Sequence, residues 1–429
     1  MAYHIPQEEL LDRQGLAQLQ RRKLTAMFEV VLASNPFFRK KYGKLSPTDA
    51  VARFCELPFT TRAELQDDQT TYPPYGSNLS YPIDAYCRLH QTSGSRGSAL
   101  RVLDRTVDWN WWRRCWGIIY RGAGVRREDR LVFPFSFGPF IGFWAAFESA
   151  VELGNLCLPA GGMTTAARLQ YLMENSATVV CCTPTYALRM AEVAAERGID
   201  LAGSAVRRLI VAGEPGGSIP STRAAIEKAF GARVIDHAGM SEVGPHGFEC
   251  EESPGGVHLI ESEFVCEVID PSSGAAVGDG AEGELVVTNL GRWGMPMIRY
   301  RTGDLVRLSH ERCVCGRSYA RAGGGILGRV DDLVFIRGNN VYPAVIEDVV
   351  RGVGGVAEFQ MRVGQRGAMS ELTVELEPSA GTDSNVLAEQ VTSAIQDRLH
   401  FRPMVRCVER GTLPRSEMKS RRLVRDDQE

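Results

Sequence analysis

Apolar residues recur at helical spacing from Leu10 to Ala33, and Asn35-Pro36 is expected to stop that helix. In Thr61-Arg62-Ala63-Glu64-Leu65 a capping Thr stands three positions before a Glu, so a second helix should begin there. From His90 to about Ile235 the pattern changes. Short apolar runs (Leu131 to Phe133, Thr178 to Cys182, Arg208 to Ala212) alternate with amphipathic stretches (Thr165 to Asn175, Tyr186 to Arg197, Ser221 to Phe230). Buried strands that alternate with helices predict a parallel sheet covered on both faces. From Gly256 to Leu308 the strands become shorter and the turns Gly-rich, with Glu282 to Thr288 the clearest strand. A β-rich subdomain over about residues 250–325 follows from that pattern. Gly323-Gly324-Gly325 reads as a flexible join. Beyond it lie strand-like Leu333 to Ile336 and Leu372 to Leu376, and a helix from Val386 to Leu399. The expected fold is therefore multidomain α/β. A large N-terminal domain over residues 1–328 carries parallel sheets flanked by helices plus the β-rich subdomain, and a small α+β domain occupies residues 329–429.

Composition narrows the class. Hydrophobic residues make up 44% of the 429 and charged residues 24%, as in soluble globular proteins and unlike disordered chains. The net charge of −3 offers no basic field, so nucleic acid is not an expected partner. Met1 to Glu9 lacks a basic region followed by an apolar run, and no secretory signal is expected. The longest apolar stretch, Phe133 to Phe147, is short for a bilayer and is broken by Pro and Gly, so no membrane association is expected either. A cytoplasmic setting follows. There the 11 cysteines read as free thiols or a metal site rather than a disulfide framework.

Candidate chemistry lies in six short motifs. Thr92-Ser93-Gly94-Ser95-Arg96-Gly97 concentrates hydroxyls and glycines, which let backbone N–H groups turn inward around phosphate oxygens. It lacks the Gly-Lys-Ser/Thr ending of a Walker A loop. Arg96 could clamp a phosphate or point to solvent. Gly213-Glu214-Pro215 follows a buried strand, and Gly239-Met240-Ser241-Glu242 follows the strand-like Arg233 to Ile235. Arg299-Tyr300-Arg301-Thr302-Gly303-Asp304 places a carboxylate on a tight turn, which suits a vicinal diol. Gly328-Arg329-Val330-Asp331-Asp332 and Pro414-Arg415-Ser416-Glu417-Met418-Lys419 complete the series. Separately, Phe133 to Trp144 is rich in aromatic and small residues. It is either ordinary core or one wall of a flat aryl pocket.

This order of motifs resembles the adenylate-forming superfamily, and most of all its phenylacetate-CoA ligase branch, from about Leu57 to the end. The resemblance implies two half-reactions. A carboxylate attacks the α-phosphate of ATP to give an acyl-adenylate and pyrophosphate, and a thiol then displaces AMP. It implies phosphate contacts at Thr92, Ser93, Gly94, Ser95 and Gly97, and adenine contacts along Gly213, Glu214 and Pro215. Gly239, Met240 and Ser241 would border the nucleotide, and Glu242 would hold Mg²⁺. Asp304 would bind ribose, with Arg329 adding a ribose or phosphate contact. Relatives carry an aromatic residue at the position of Ala238, so Met240 or another residue would have to replace the adenine stacking. Lys419 would be the cation that joins the two anions in the first half. The C-terminal domain would then swing about Asp331, bringing Gly338 and Asn339 to a CoA channel. Phe135, Phe140, Gly161, Gly162, Tyr186, Ala238 and Gly239 would line the acyl site. Several members of the branch show a set like Cys250, His258, Cys313 and Cys315, and three thiolates with one imidazole suit structural Zn²⁺. His310 is a competing ligand.

The expected activity is thus AMP-forming ligation of an aromatic acid to CoA. One alternative passes the acyl group to a carrier protein, or to an amine or hydroxyl of a second aryl acid in secondary metabolism. Another is a nucleotide-binding regulator without catalysis, which intact Glu242, Asp304 and Lys419 argue against. A homodimer stays open.

Overall fold

A computed structural model describes residues 2–92, 98–139, 141–336, 339–366, 369–415 and 422–425. By its contacts the chain forms two units. The first comprises Met1–Gly162, Ala177–Cys181 and Ile235–Gly325, and the second Met163–Ser176, Cys182–Val234 and Ile326–Glu429.

The first unit opens with a long helix, Arg13–Ser34, whose N-terminus is capped by the Asp12 carboxylate accepting from Gly15 N. Leu16, Leu19, Leu24, Met27, Phe28 and Val31 make its buried stripe. Asn35-Pro36 does more than stop it. The Asn35 side chain accepts from Phe38 N and so starts the next helix, Pro36–Tyr42, with Pro at its first turn. Asn35 is itself buried, and its amide donates to Asn78 and Ser80. The Thr61 capping box is present, with Glu64 closing it over the helix Arg62–Thr71.

Two kinds of strand pairing follow. Arg130–Phe133 runs parallel to Leu156–Pro159 and to Val179–Cys182, as continuous apolar runs between helices demand. After Arg233–Met240 the pairing turns antiparallel. Gly244–Cys250, Ser253–Leu259, Arg321–Gly323, Tyr300–Ser309, Glu282–Asn289 and Phe264–Ile269 follow it in that spatial order. Gly274 and Gly280, both at positive φ, lie in the connection that reverses the chain between Phe264–Ile269 and Glu282–Asn289. The helix Thr106–Gly122 buries Trp109, Trp111, Trp112 and Trp116.

The second unit contains the strand Arg208–Ala212 and the helices Thr165–Glu174, Pro184–Glu196 and Pro220–Phe230. It also contains a four-stranded sheet in the order Met404–Cys407, Met369–Pro378, Val356–Arg366, Leu423–Arg425. The helices Pro343–Val353 and Ser384–Leu399 bury Ile346, Val350, Val391 and Ile395 in the same core as Val374 and Leu376 of that sheet. Polar contacts join the helical part to the C-terminal part. Ser221 N and Thr222 Oγ1 donate to Asp348 and Glu347, at 3.0 and 3.1 Å. Arg415 reaches both Glu192 and Glu377. No helix among the described residues is long and apolar enough to cross a membrane.

Candidate active site

Glu242 stands just beyond the strand Arg233–Met240, with only 3% of its surface exposed. One of its oxygens, Oε1, accepts from the Tyr300 hydroxyl at 3.0 Å and from Arg62 Nη1 at 3.3 Å. Its other oxygen takes no hydrogen bond among the described residues, so it is open to a cation. Arg62 is the first residue of its helix, and its second arm, Nη2, donates to Thr92 Oγ1 at 2.9 Å. Thr92 is already fixed by paired bonds with Leu100, one through its N–H and one through its hydroxyl. A single guanidinium therefore ties the edge of the Ser/Gly loop to the carboxylate expected to hold magnesium. Arg62 Nε is buried and has no partner among the described residues.

The backbone under Glu242 is held from below. Arg292 is fully buried and forks onto the Asp104 carboxylate at 2.6 and 2.9 Å. Its remaining nitrogen donates to the carbonyls of Ser241 and Glu242, at 3.1 and 2.8 Å. Asn289 Nδ2 takes the next carbonyl, that of Val243, at 2.9 Å. Three successive carbonyls are thus pinned by side chains of other elements.

Asp304 lies on the same strand as Tyr300 and is 9% exposed. Gly303 before it has φ +75°, at the bulge where the pairing with Glu282–Asn289 shifts register, so the carboxylate stands on a bulged strand and not on the tight turn that the motif suggested. The Thr302 hydroxyl accepts from Asp304 N at 3.0 Å and donates to the Leu285 carbonyl at 2.7 Å, which fixes the bulge.

The aromatic wall is built around Phe135. Its ring meets Phe137 and Phe143 edge-on, at 5.5 and 5.9 Å between centroids. Phe143 packs on Trp116, and Trp116 on His237 at 4.5 Å. Gly161 belongs to this wall, since a Cβ there would stand 2.9 Å from the Phe135 carbonyl oxygen. Gly162 follows at φ +73°. Ala238 and Gly239 continue the strand beyond His237, with Met240 and Ser241 after them.

The remaining described candidates lie in the second unit. Gly213, at φ +96°, leads to Glu214, whose carboxylate accepts from Thr185 N at 2.8 Å, and Pro215 follows. Tyr186 is 1% exposed, and its hydroxyl accepts from Arg168 and donates to Thr165. Arg329 Nε donates to Asp331 at 3.3 Å, and Arg425 bonds the Asp331 carbonyl. Ser93, Gly94, Ser95, Arg96, Gly97, Phe140, Gly338 and Lys419 lie outside the described residues, as does the side chain of Asn339.

Cys250, His258, Cys313 and Cys315 come together although the chain separates them, all four ligand atoms lying within 4.8 Å of one another. The sulfurs of Cys250 and Cys313 are 3.8 Å apart, and Cys315 Sγ is 3.6 Å from His258 Nε2. A tetrahedral zinc with bonds of about 2.3 Å to sulfur and about 2.0 Å to nitrogen has edges of roughly these lengths, so the donor set fits the ion. His258 Nδ1 donates to the Tyr319 carbonyl, leaving Nε2 as the ligand atom. The bond from Cys250 drives the Cys315 thiol down to about 2, and the same bond pushes Cys250 up. His310 is paired with Asp279 at 2.6 Å instead.

Residues 105–293 match the AMP-binding enzyme family, and residues 338–427 match the AMP-binding enzyme C-terminal domain. A phenylacetate-coenzyme A ligase of Thermus thermophilus is 29% identical over 98% of each chain. One from Pseudomonas putida is 30% identical over 97% of each. The chain belongs to the phenylacetate-CoA ligase branch of the adenylate-forming enzymes. A solved 2-hydroxyisobutyryl-CoA ligase, bound to 2-HIB-AMP in its postadenylation state, superimposes on this ligase relative with a TM-score of 0.93. That match has 27% identity and covers 98% of this chain and 92% of the other.

Within this ligase fold, several site residues escaped the motif reading. Arg62 was legible only as the start of a helix. Tyr300 stood inside a motif without a role, and His237 stood two positions before one. Asp104 and Arg292 lie in no motif. Arg292 signals itself only as a charge among the apolar and small residues Leu290 to Met295, and Asp104 only as the last residue of the strand Arg101–Asp104.

Proposed function

We propose that this enzyme is an AMP-forming ligase that activates an aromatic carboxylic acid with ATP and transfers it to the thiol of CoA. The observation that carries the reading is the Arg62 bridge, one cation touching both Thr92 and Glu242. Such a bridge sets the spacing between a phosphate-binding loop and a metal-binding carboxylate before either ligand arrives. Glu242 would hold the magnesium that accompanies ATP through its open oxygen, where the ion screens charge on the phosphates. Asp304 would accept the ribose hydroxyls, and Gly213 to Pro215 would border the adenine. Phe135, Gly161, Gly162, Ala238 and Gly239 would bound the acid, whose flat ring suits edge-on aromatic neighbours. The relatives named as phenylacetate-CoA ligases support an aromatic acid and CoA as substrates.

Lys419 would lie between the acid carboxylate and the α-phosphate in the first half-reaction, lowering the repulsion between two anions. The domain over residues 329–429 would then turn about Asp331 and remove it, admitting the thiol past Gly338 and Asn339. Contacts such as Arg415 with Glu192 and Asp348 with Ser221 would open in that step. Cys250, His258, Cys313 and Cys315 would hold a structural zinc, a closed site that braces the antiparallel strands without touching the chemistry.

Pyrophosphate release measured with a panel of aryl acids, followed by mass detection of the CoA thioester, tests the reading. Acid-dependent release and thioester formation are expected, and their absence with every acid refutes it. Lys419→Ala sharpens the test. It should abolish pyrophosphate release yet leave thioester formation from supplied acyl-adenylate; equal loss in both halves would overturn the assigned division of labour.

A further inference from the structure

His237 is a residue to which no motif assigns a role. It sits on the strand Arg233–Met240, two positions before Gly239, and is 7% exposed. One ring nitrogen is committed. Nδ1 lies 2.7 Å from the Gly247 carbonyl oxygen, which can only accept, so Nδ1 carries the hydrogen. Burial keeps the ring uncharged, pulling its pKa down to about 3 against the opposing bond to Gly247. A neutral imidazole protonated on Nδ1 has a bare lone pair on Nε2. That atom is an acceptor and nothing else.

The surroundings say what it could accept from. Nε2 has no hydrogen-bond partner among the described residues. Yet it is not sealed in, unlike His90 Nδ1 and His246 Nε2, which are buried without partners. It opens beside Gly239, where a Cβ would stand 3.1 Å from it, with Pro245 Cα and the Gly244 carbonyl oxygen at 3.3 and 3.4 Å. Any side chain at Gly239 would therefore fill the space that Nε2 faces. The ring is backed by Trp116, and through Phe143 the same cluster reaches Phe135 and Gly161. An apolar aromatic wall beside an unpartnered acceptor is a usual plan of a specificity pocket, where few polar groups fix which ligand is held.

We infer that His237 Nε2 selects a carboxylic acid carrying a hydrogen-bond donor, an aryl hydroxyl or amine, over the same acid without one. This inference rests on the aryl-CoA ligase reading above. The physical basis is asymmetric. An acid with a donor satisfies the lone pair, whereas an acid with hydrogen or methyl at that place displaces water and leaves it unpaired in an apolar slot. A methoxy acid fails for a second reason, because it brings an acceptor to an acceptor. Hydroxyl and amine share the required chemistry, and an aryl amine is uncharged at neutral pH, so both can enter.

The experiment compares kcat/KM for pyrophosphate release across benzoic acids bearing hydroxyl, amino, methoxy, methyl or hydrogen at each ring position. For the wild-type enzyme, the best donor-bearing acid should exceed its methyl and methoxy counterparts by about 10-fold or more. In His237→Leu that ratio should fall toward unity. In His237→Gln, whose amide can turn a carbonyl oxygen toward the substrate, part of the ratio should return. Equal use of donor and methyl acids by the wild type overturns the inference, and so does an undiminished ratio in His237→Leu. If His237→Leu does not fold, by its melting curve, the wild-type series and His237→Gln decide. Release with aryl acids but without preference overturns only the role of His237. No release with any aryl acid overturns the ligase reading and this inference with it.

Discussion

Glu242 and the Cys250 cluster lie in the same unit, and each gathers several ionisable groups away from water. They differ in how charge is balanced. Around Glu242 the charges alternate, the Tyr300 and Arg62 donors facing a carboxylate, with Arg292 against Asp104 just beneath. That arrangement coheres without a ligand and leaves one carboxylate oxygen for it. In the cluster, Cys250, Cys313, Cys315 and His258 bring their ligand atoms within 4.8 Å of one another, and the Arg317 guanidinium beside Cys315 is already committed to Glu9. On the reading proposed above, the first region would be complete before its substrate arrives, and the second would be completed by an ion. Substitution of the Glu242 carboxylate itself should therefore cost activity, and substitution of the clustered thiols should cost stability.

The largest expected effect breaks the second region. Purified protein should carry zinc, and the paired changes Cys313→Ser and Cys315→Ser should remove it. Zinc sites in small peptides contribute about 10–16 kcal/mol to folding; here, where a large core shares the load, a loss on the order of 5 kcal/mol is expected. Metal analysis and denaturant melts check both halves of the claim. Unchanged metal content, or unchanged stability after the metal is lost, would remove the contrast between the two regions.

Next in size is Arg292→Met. It strands Asp104, which is fully buried, and should cost about 3–5 kcal/mol. Adding Asp104→Leu replaces the whole ion pair by apolar groups and should recover most of that stability. The Ser241 and Glu242 carbonyls would still have lost their clamp, so pyrophosphate release should stay low in the double variant. Recovery of activity along with stability would show that the pair holds the fold and positions nothing.

How much of this could be read from the chain alone depends on the distance over which each feature is encoded. Elements set by local spacing were legible, including the capping box at Thr61, the apolar strands at Leu131 and Val179, and the helix ending at Leu399. Asn35 was only half legible. Its amide caps forward into the next helix, and a stop and a start look alike in Asn-Pro. Glu242 and Asp304 could be found because their neighbours form compact motifs. The thiols and His258 could be found because Cys and His are rare and chemically marked. Arg62 meets Glu242 across 180 positions, and Arg292 meets Asp104 across 188. No periodicity carries such pairings, and arginine is common on surfaces. Only the fold shows that these two point inward.

The first region itself is broken by Glu242→Gln. The amide keeps an acceptor for Tyr300 but loses the charge that would hold magnesium, so pyrophosphate release should fall about 100-fold. Stability should change by less than about 1 kcal/mol, because the shape and the hydrogen bond from Tyr300 survive. Rising magnesium should restore part of the rate. An unimpaired Gln variant would mean that the open carboxylate oxygen serves no ion.

The smallest effect separates the two donors on Oε1. Tyr300→Phe removes one hydrogen bond from a buried carboxylate and leaves Arg62 in place. Removing a single donor of this kind costs about 0.5–1.5 kcal/mol, so the rate should fall only several-fold. Arg62→Gln shortens the side chain that reaches both Thr92 and Glu242 and should cost more, with the loss falling on KM for ATP as well as on kcat. If Tyr300 proved the more costly of the two, the carboxylate would be oriented from the strand Tyr300–Ser309. The link from the helix at Arg62 to the phosphate loop would then be a brace rather than the device that sets the site.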